Sequence, residues 1–296
     1  MSAILLFKIL FQTPRRRAKN EKATAGYYQV LLEDNQINVE LTTTAHSGIH
    51  KYTYQNNKER KIIVDLEHRD ETLNIKSKFI NDSTLVGVRI SKGWAKEQHI
   101  YFVIKFSESP IWRYINNNGK TGWEQRILKF GESKRPILVK VGISAVDMQG
   151  AVNNLGSEIP HWNFDQVLSS NKRLWNNQLS KIDIKTNDKN KETTFYTALY
   201  HSYLAPNLFS DNDGSYRGTD LEVHQSNRKQ YTVFSLWDTF RATHPLFTIT
   251  QQDKTIDFIN TLLNHYKNGG KLPIWELNGN YTKCMIGYHA IPVITD

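Results

Sequence analysis

Residues 84–107 read TLVGVRISKGWAKEQHIYFVIKFS. Two runs rich in β-branched and aromatic residues flank a short polar stretch that opens on Gly93. Such runs fit a pleated, half-buried surface and read as neighbouring strands. The same character extends outward. Upstream stand YYQVLL (27–32), INVELTTTA (37–45), HKYTYQ (50–55), KIIVDL (61–66) and TLNIKSKFI (72–80); downstream stands ILVKVGIS (137–144). Clusters of Gly, Asn and Asp punctuate them at the intervals of an antiparallel sandwich. From Gly26 to Val146 the expectation is therefore a β-sandwich. Trp94 and Trp112 fall at strand edges or loops. Two readings stand for each: a core side chain, or a ring projecting toward a neighbouring domain.

The character changes near Pro160. NFDQVLSSNKRLWNNQLSKIDI (163–184) places Phe164, Val167, Leu168, Leu174 and Leu179 at helical spacing. TTFYTALYHSYLAPNLF (193–209) predicts a second helix interrupted by Pro206, and His201 is read there as a packed helix histidine. A polar loop follows over 210–229. The next helix is expected to start at a cap, Ser235 or Thr232, to carry Leu236, Phe240 and Thr243, and to meet Pro245. DKTIDFINTLLNHYKNGG (253–270) is amphipathic, with Asp253 at its start and Gly269–Gly270 at its end. The last helix is expected from Thr282 toward Asp296. Strands followed by helices, segregated in sequence, give a β-sandwich followed by an all-α domain. The expected boundaries are an atypical N-terminal segment at 1–18, the sandwich at 19–158, a helical linker at 159–190 and the helical domain from 191.

A chain of 296 residues with 39% hydrophobic content can bury a sizeable core. One cysteine, Cys284, excludes an internal disulfide and a cysteine-based zinc site. The net charge of +9 invites a polyanion partner. The basic residues are spread along the chain, however, with Arg15–Arg16–Arg17 as the one dense run, and no nucleic-acid motif accompanies them. No nucleic-acid partner is expected. The opening MSAILLFKILFQTPRRR has its charges after a short apolar run, the wrong order for a signal peptide and too short for a membrane span.

Two segments carry the chemistry: YTVFSLWDTFRATHPL (231–246) and LPIWELNGNYTKCMIGYHAIPVI (272–294). In each a tryptophan precedes a carboxylate, Trp237–Asp238 and Trp275–Glu276. An aromatic plane beside an acid suits a sugar, whose C–H face stacks on the ring while the carboxylate takes hydroxyls. The structural alternatives are as concrete. Asp238 stands in an apolar segment, so it must pair, with Arg241 at i+3, or face a polar cavity. Glu276 is placed between Pro273 and Gly279 on an inter-helix loop, as a binding acid or a capping one. Cys284 and His289 are read on one apolar helix five residues apart, a poor metal spacing, with Cys284 a small buried side chain. His224 lies in the polar loop without a ligand cluster. Residues 210–220, with Asp211, Asp213 and Asp220, fail the EF-hand register.

At these residues the chain resembles glycoside hydrolase family 92, the calcium-dependent, exo-acting α-mannosidases. KNEKATAGYYQVLLEDNQINVELTTTAHSGIHKYTY (19–54), SKGWAKEQHIYFVIKFS (91–107) and TALYHSYLAPNLFSDNDGSYRG (197–218) are similar to further stretches of that family, so the likeness extends over 19–296. It implies a β-sandwich followed by an (α/α)6 barrel, here incomplete, and inverting hydrolysis of terminal α-linked mannose. It implies substrate-binding roles for Trp237 and Asp238, which match a mannose-pocket pair, and for Glu276, as a pocket or pocket-supporting residue. It implies calcium, with ligands not identified among these residues, and mannose-containing glycans as partners of a monomer in the periplasm or outside the cell. The family's general acid belongs to an EGxAWQY-like motif and its general base to an NDD-like motif, and neither occurs in 1–296. No catalytic residue is therefore named, both being expected beyond residue 296, and the chain as it stands is expected to be inactive. Two other classes remain: a non-catalytic carbohydrate-binding or structural module, and a polyanion-binding protein.

Overall fold

The computed structural model describes residues 20–55, 60–116 and 124–296, so the expected segment 1–18 lies outside the described residues. The chain divides into two compact units. The described residues up to Lys92 with His99–Arg173 form one, and Gly93–Gln98 with Leu174–Asp296 the other.

Among the described residues of the first unit, eleven strands follow one another before any α-helix: β1 (Glu21–Thr24), β2 (Tyr27–Leu32), β3 (Ile37–Thr43), β4 (Ser47–Tyr54), β5 (Arg60–Asp65), β6 (Glu71–Asn81), β7 (Thr84–Lys92), β8 (Gln98–Phe106), β9 (Trp112–Asn116), β10 (Gln125–Phe130) and β11 (Ile137–Ser144). Eight pair in the order β1-β2-β3-β4-β11-β8-β7-β6, and three in the order β5-β10-β9. Every described pairing is antiparallel. One apolar core takes side chains from both sheets: Val39, Phe102, Ile104 and Val141 from the larger, Val64 and Leu128 from the smaller. The sequence had shown eight of these strands. Trp112 and Trp94 are both exposed and lie outside that core, and Trp112 stacks on Tyr114.

The continuous apolar runs of β7, β8 and β11 have a second cause. Helix α1 (Met148–Glu158) and the start of α2 (Phe164–Leu179) cover the outer face, burying Ala151, Leu155, Phe164 and Val167 against Ile49, Val86 and Val103. These strands are thus buried on both faces, which erases alternation. At Gly142 a Cβ would stand 2.6 Å from the Ala151 carbonyl oxygen, so glycine lets α1 lie directly on β11. Helix α1 had not been read from the sequence. Asp147 begins it, its Oδ1 accepting from the Gly150 N–H at 2.7 Å.

The second unit mixes helices with very short strands. Helix α3 (Lys189–Ser202) stops ahead of Pro206, and His201 on it is exposed rather than packed, because the buried side of α3 is narrow and holds Leu199. After it come β12 (Asn207–Leu208), β13 (Ser215–Arg217), β14 (Val223–Gln225), β15 (Tyr231–Thr232) and β16 (Phe234–Ser235). Then follow α4 (Leu236–Thr239), α5 (Thr243–Thr250), α6 (Gln252–Gly269), β17 (Trp275–Leu277), β18 (Asn280–Tyr281) and α7 (Ala290–Thr295).

Three expectations are corrected here. The helix drawn from Ser235 through Thr243 is a single turn, α4, and a separate helix α5. Pro245 sits in the first turn of α5, where its missing N–H is harmless. The helix drawn from Thr282 begins only at Ala290, because Lys283, Met285 and Gly287 take positive φ and interrupt it. Cys284 and His289 therefore share no helix, and Cys284 is half-buried rather than buried. The loop drawn at 273–279 is a hairpin: β17 and β18 join at Asn278–Gly279, with φ of 52° and 74°, a left-handed pair suited to Asn-Gly. A core of Tyr231, Phe234, Leu236, Phe247, Phe258, Leu262, Ala290 and Val293 fills the unit.

Candidate functional site

The hairpin β17–β18 pairs with β16, setting Phe234 opposite Glu276 and Ser235 opposite Trp275. Two- and three-residue strands hold weakly by ladder bonds alone. Side chains make up the difference. Glu276 is 0% exposed. Its Oε1 accepts from Thr232 Oγ1 at 2.9 Å and Gly279 N at 2.7 Å, and its Oε2 from Val233 N at 3.0 Å. Thr232 Oγ1 in turn accepts from Asn278 N at 2.6 Å. One carboxylate thus ties the chain before β16 to the tip of the hairpin, and holds Val233 at φ 67°, which a β-branched residue resists. Burial pushes the Glu276 carboxyl up to about 7, against the opposing pull of its hydrogen bonds.

Past β16 the chain turns into α4. Leu236 is buried and its N–H bonds Ile274 O at 3.0 Å, fixing the turn to the hairpin. Trp237 and Asp238 then face outward, Trp237 46% exposed. The Ser235 hydroxyl donates to Asp238 Oδ2, and Thr239 Oγ1 donates to Ser235 O at 2.9 Å. Asp238 is therefore neither buried nor paired with Arg241 at i+3. The Arg241 guanidinium lies over the Phe240 ring, 4.8 Å from its centroid.

A third tryptophan belongs here. Residues Gly93–Gln98 are part of this unit. Asn280 clamps them: Glu97 N donates to its Oδ1 at 3.1 Å, and its Nδ2 donates to Glu97 O at 2.9 Å. Ala95 is buried while Trp94 stays 68% exposed, its ring edge-on to Trp275 at 5.6 Å between centroids. Ser235 and Trp275 thus sit opposite one another on one small sheet, with Trp94 against Trp275 and the Trp237–Asp238 turn following β16 in the chain. Sequence reasoning had not joined Trp94 to Trp275, nor Ser235 to Asp238. The repeated juxtaposition of tryptophan and acid was the available signal; the clamp has none in spacing.

Calcium binds six to eight oxygens. Among the described residues no group of three or more His, Cys, Asp or Glu side chains stands together to hold a metal. The carboxylates of the polar loop are engaged locally: Asp213 Oδ1 accepts from Ser215 N at 2.9 Å, and Asp220 pairs with His224 at 2.9 Å. A carboxylate cage for calcium is thus not assembled among the described residues.

The chain matches the model of the glycosyl hydrolase family 92 N-terminal domain over residues 11–144 and that of the family's catalytic domain over 150–296. No curated protein matches it. Among solved structures it is similar to a family GH92 α-mannosidase of Bacteroides thetaiotaomicron, at 34% identity and a TM-score of 0.87, over 95% of this chain and 40% of that one. The same mannosidase in complex with mannoimidazole aligns at 35% identity and a TM-score of 0.87, over 94% and 39%. An inverting GH92 mannosidase of Bacteroides thetaiotaomicron VPI-5482 shares the fold at 23% identity and a TM-score of 0.85, over 94% and 39%. The chain thus spans 40% of the length of the first of these relatives.

Proposed function

The chain belongs to glycosyl hydrolase family 92, and on that premise we propose that it carries one wall of the sugar site of an inverting, exo-acting α-mannosidase. The supporting observation is the outward-facing Trp237–Asp238 turn, held by Ser235 and anchored through β16 to the buried Glu276. The indole offers a flat apolar face for the C–H side of a terminal mannose. The Asp238 carboxylate accepts from the sugar's hydroxyls, and its bond from Ser235 fixes which oxygen faces outward. Trp94 and Trp275 extend the aromatic surface. Glu276 supports the pocket without touching sugar, because both its oxygens already accept from the protein.

Inversion needs a carboxylic acid on the leaving oxygen and a carboxylate about 6.5–9.5 Å away to activate water. Residues 1–296 contain neither of the family's two motifs for these groups. In this reading they bind and orient the sugar while bond cleavage is supplied by other residues, and the 296 residues alone release no mannose. A calcium ion and a helical barrel of the (α/α)6 type, of which α3 to α7 form a part, enter through the family resemblance. So does a periplasmic or extracellular setting for a protein acting on mannose-containing glycans. No described helix is long and apolar enough to cross a membrane.

The test is a titration with mannoimidazole, followed by tryptophan fluorescence and calorimetry. Asp238→Asn and Trp237→Ala should each weaken binding about tenfold, the loss of one good polar or stacking contact, with unchanged melting. Equal binding by both variants would show that this turn is not the sugar wall. Release of mannose from an aryl α-mannoside by these residues alone would refute the division of labour.

A further inference from the structure

The second unit also holds a basic cleft that the sugar wall leaves unused. A cavity of about 580 Å3 at the start of α6 is lined by Arg228, Lys229, Tyr231, Asp253, Lys254 and Asp257, among others. A second, of about 350 Å3, shares Asp253 and Lys254 with it and adds Lys181. Lys254 is half-buried and lines both. Burial lowers its pKa, and the ammonium groups of Lys181 and Lys229 lower it further. Like charges at this range repel, and nothing in the described structure compensates Lys254 with a hydrogen bond or ion pair. Lys181 is partly satisfied, its Nζ donating to Thr250 O at 2.7 Å and Gln251 Oε1 at 3.1 Å.

Two carboxylates line the same space. Asp257 Oδ1 accepts from Arg228 Nη1 at 3.2 Å. Asp253 sits in the first turn of α6, where negative charge is favoured. Four cations therefore face two carboxylates, one of which, Asp257, is already paired with Arg228. The start of α6 adds partial positive charge, since Gln251 gives it no side-chain cap.

We propose that this cleft binds a small tetrahedral oxyanion of the phosphate or sulfate class, free or carried as an ester on a sugar, between Lys254, Lys229 and Lys181. Such an anion removes the mutual repulsion of the three ammonium groups and gives each a charge-assisted hydrogen bond. The cleft lies on α6 and the 227–231 segment, so the inference does not depend on the mannose wall.

Calorimetric titration of the 296-residue chain with inorganic phosphate tests it, against sodium chloride at matched ionic strength and beside a hexose 6-phosphate. A saturable single site is expected, weakened about tenfold by Lys254→Gln and by Lys229→Gln and unchanged by the remote Lys22→Gln. Without phosphate, Lys254→Gln should melt no lower than the parent, since it removes a repelled cation; with phosphate it should lose the stabilisation the parent gains. Tighter binding of the hexose 6-phosphate identifies an ester on a sugar, and equal or weaker binding identifies the free anion. Absence of saturable heat beyond the salt control overturns the proposal, as does parent-like binding by Lys254→Gln and Lys229→Gln. Mannoimidazole binding should be unaffected by either lysine variant, which separates this failure from failure of the sugar wall.

Discussion

In the first unit, β7 and β8 run nine residues each and β11 eight, and most side chains on β7 and β11 and over half of those on β8 are buried. In the second, β16 and β18 are two residues long and β17 three. The long strands are held by many equivalent ladder bonds and by apolar area, so no single residue decides their placement. The short ones are held by polar side chains in particular positions, Glu276, Thr232 and Asn280, each bonding backbone that would otherwise be unpaired. Redundant stabilisation makes a scaffold; concentrated stabilisation makes a site that one substitution can take apart.

That contrast can be broken by experiment. Phe102 is 1% exposed in the sandwich core, and Phe102→Ala should cost about 4 kcal/mol by lost transfer energy and a cavity. Urea unfolding measures it. Mannoimidazole affinity of the folded fraction should not move. Glu276→Gln keeps the volume but turns an amide NH2 toward backbone N–H donors, leaving buried donors unsatisfied. A loss of about 3 kcal/mol is expected, together with loss of sugar binding as the turn at Trp237 is released. If stability falls and affinity survives, Glu276 does not position the wall.

The same contrast explains what the sequence disclosed. Runs such as HIYFVIKFS announce strands because burial and β-branching act on every residue of them. The sandwich-then-helix order was legible for that reason, and so was α6, whose end at Gly270 takes the left-handed φ of 72°. Helix α1 was hidden because its sequence, MQGAVNNLGSE, has few apolar residues and owes its place to Gly142 beneath it. The hairpin at Asn278–Gly279 was marked by its turn residues, yet flanking strands of three and two residues are too short to show a period. Trp237 and Asp238 stood out by chemistry. The partnership of Trp94 with Trp275 could not, since it is made by Asn280 bonding backbone from a distant part of the chain, and backbone contacts leave no pattern in side-chain identity.

Asn280→Ala removes both bonds to Glu97 and a third, from Nδ2 to Asn278 O at 2.9 Å. About 2 kcal/mol should be lost. The sharper readout is optical: freed from Trp275, Trp94 should quench more readily with an aqueous quencher. Unchanged quenching would mean that ring contact, not the amide clamp, holds residues 93–98.

A net effect of similar size should come from pH, because opposing groups partly cancel in the second unit. His244 and His265 lie among Phe234, Phe247 and Phe258 with no partner for either Nδ1, and burial holds both at about 4. A depressed histidine stabilises the fold above its unfolded value near 6.5 and loses that contribution as pH falls toward 4. Glu276, raised to about 7, acts oppositely: its contribution is full below its unfolded value near 4.5 and is lost as pH rises through 7. At about 1.4 kcal/mol per pKa unit, lowering pH from about 7.5 to 5 costs on the order of 4 kcal/mol from the two histidines and returns on the order of 2 from Glu276. The first unit has His50, also held at about 4 by burial, and Glu67, whose carboxyl burial raises. The second unit should therefore lose about 2 kcal/mol on acidification, and about 4 in Glu276→Gln, where the compensating carboxylate is gone. Urea midpoints across that pH range measure both slopes, and parallel slopes for parent and variant would remove Glu276 from the balance.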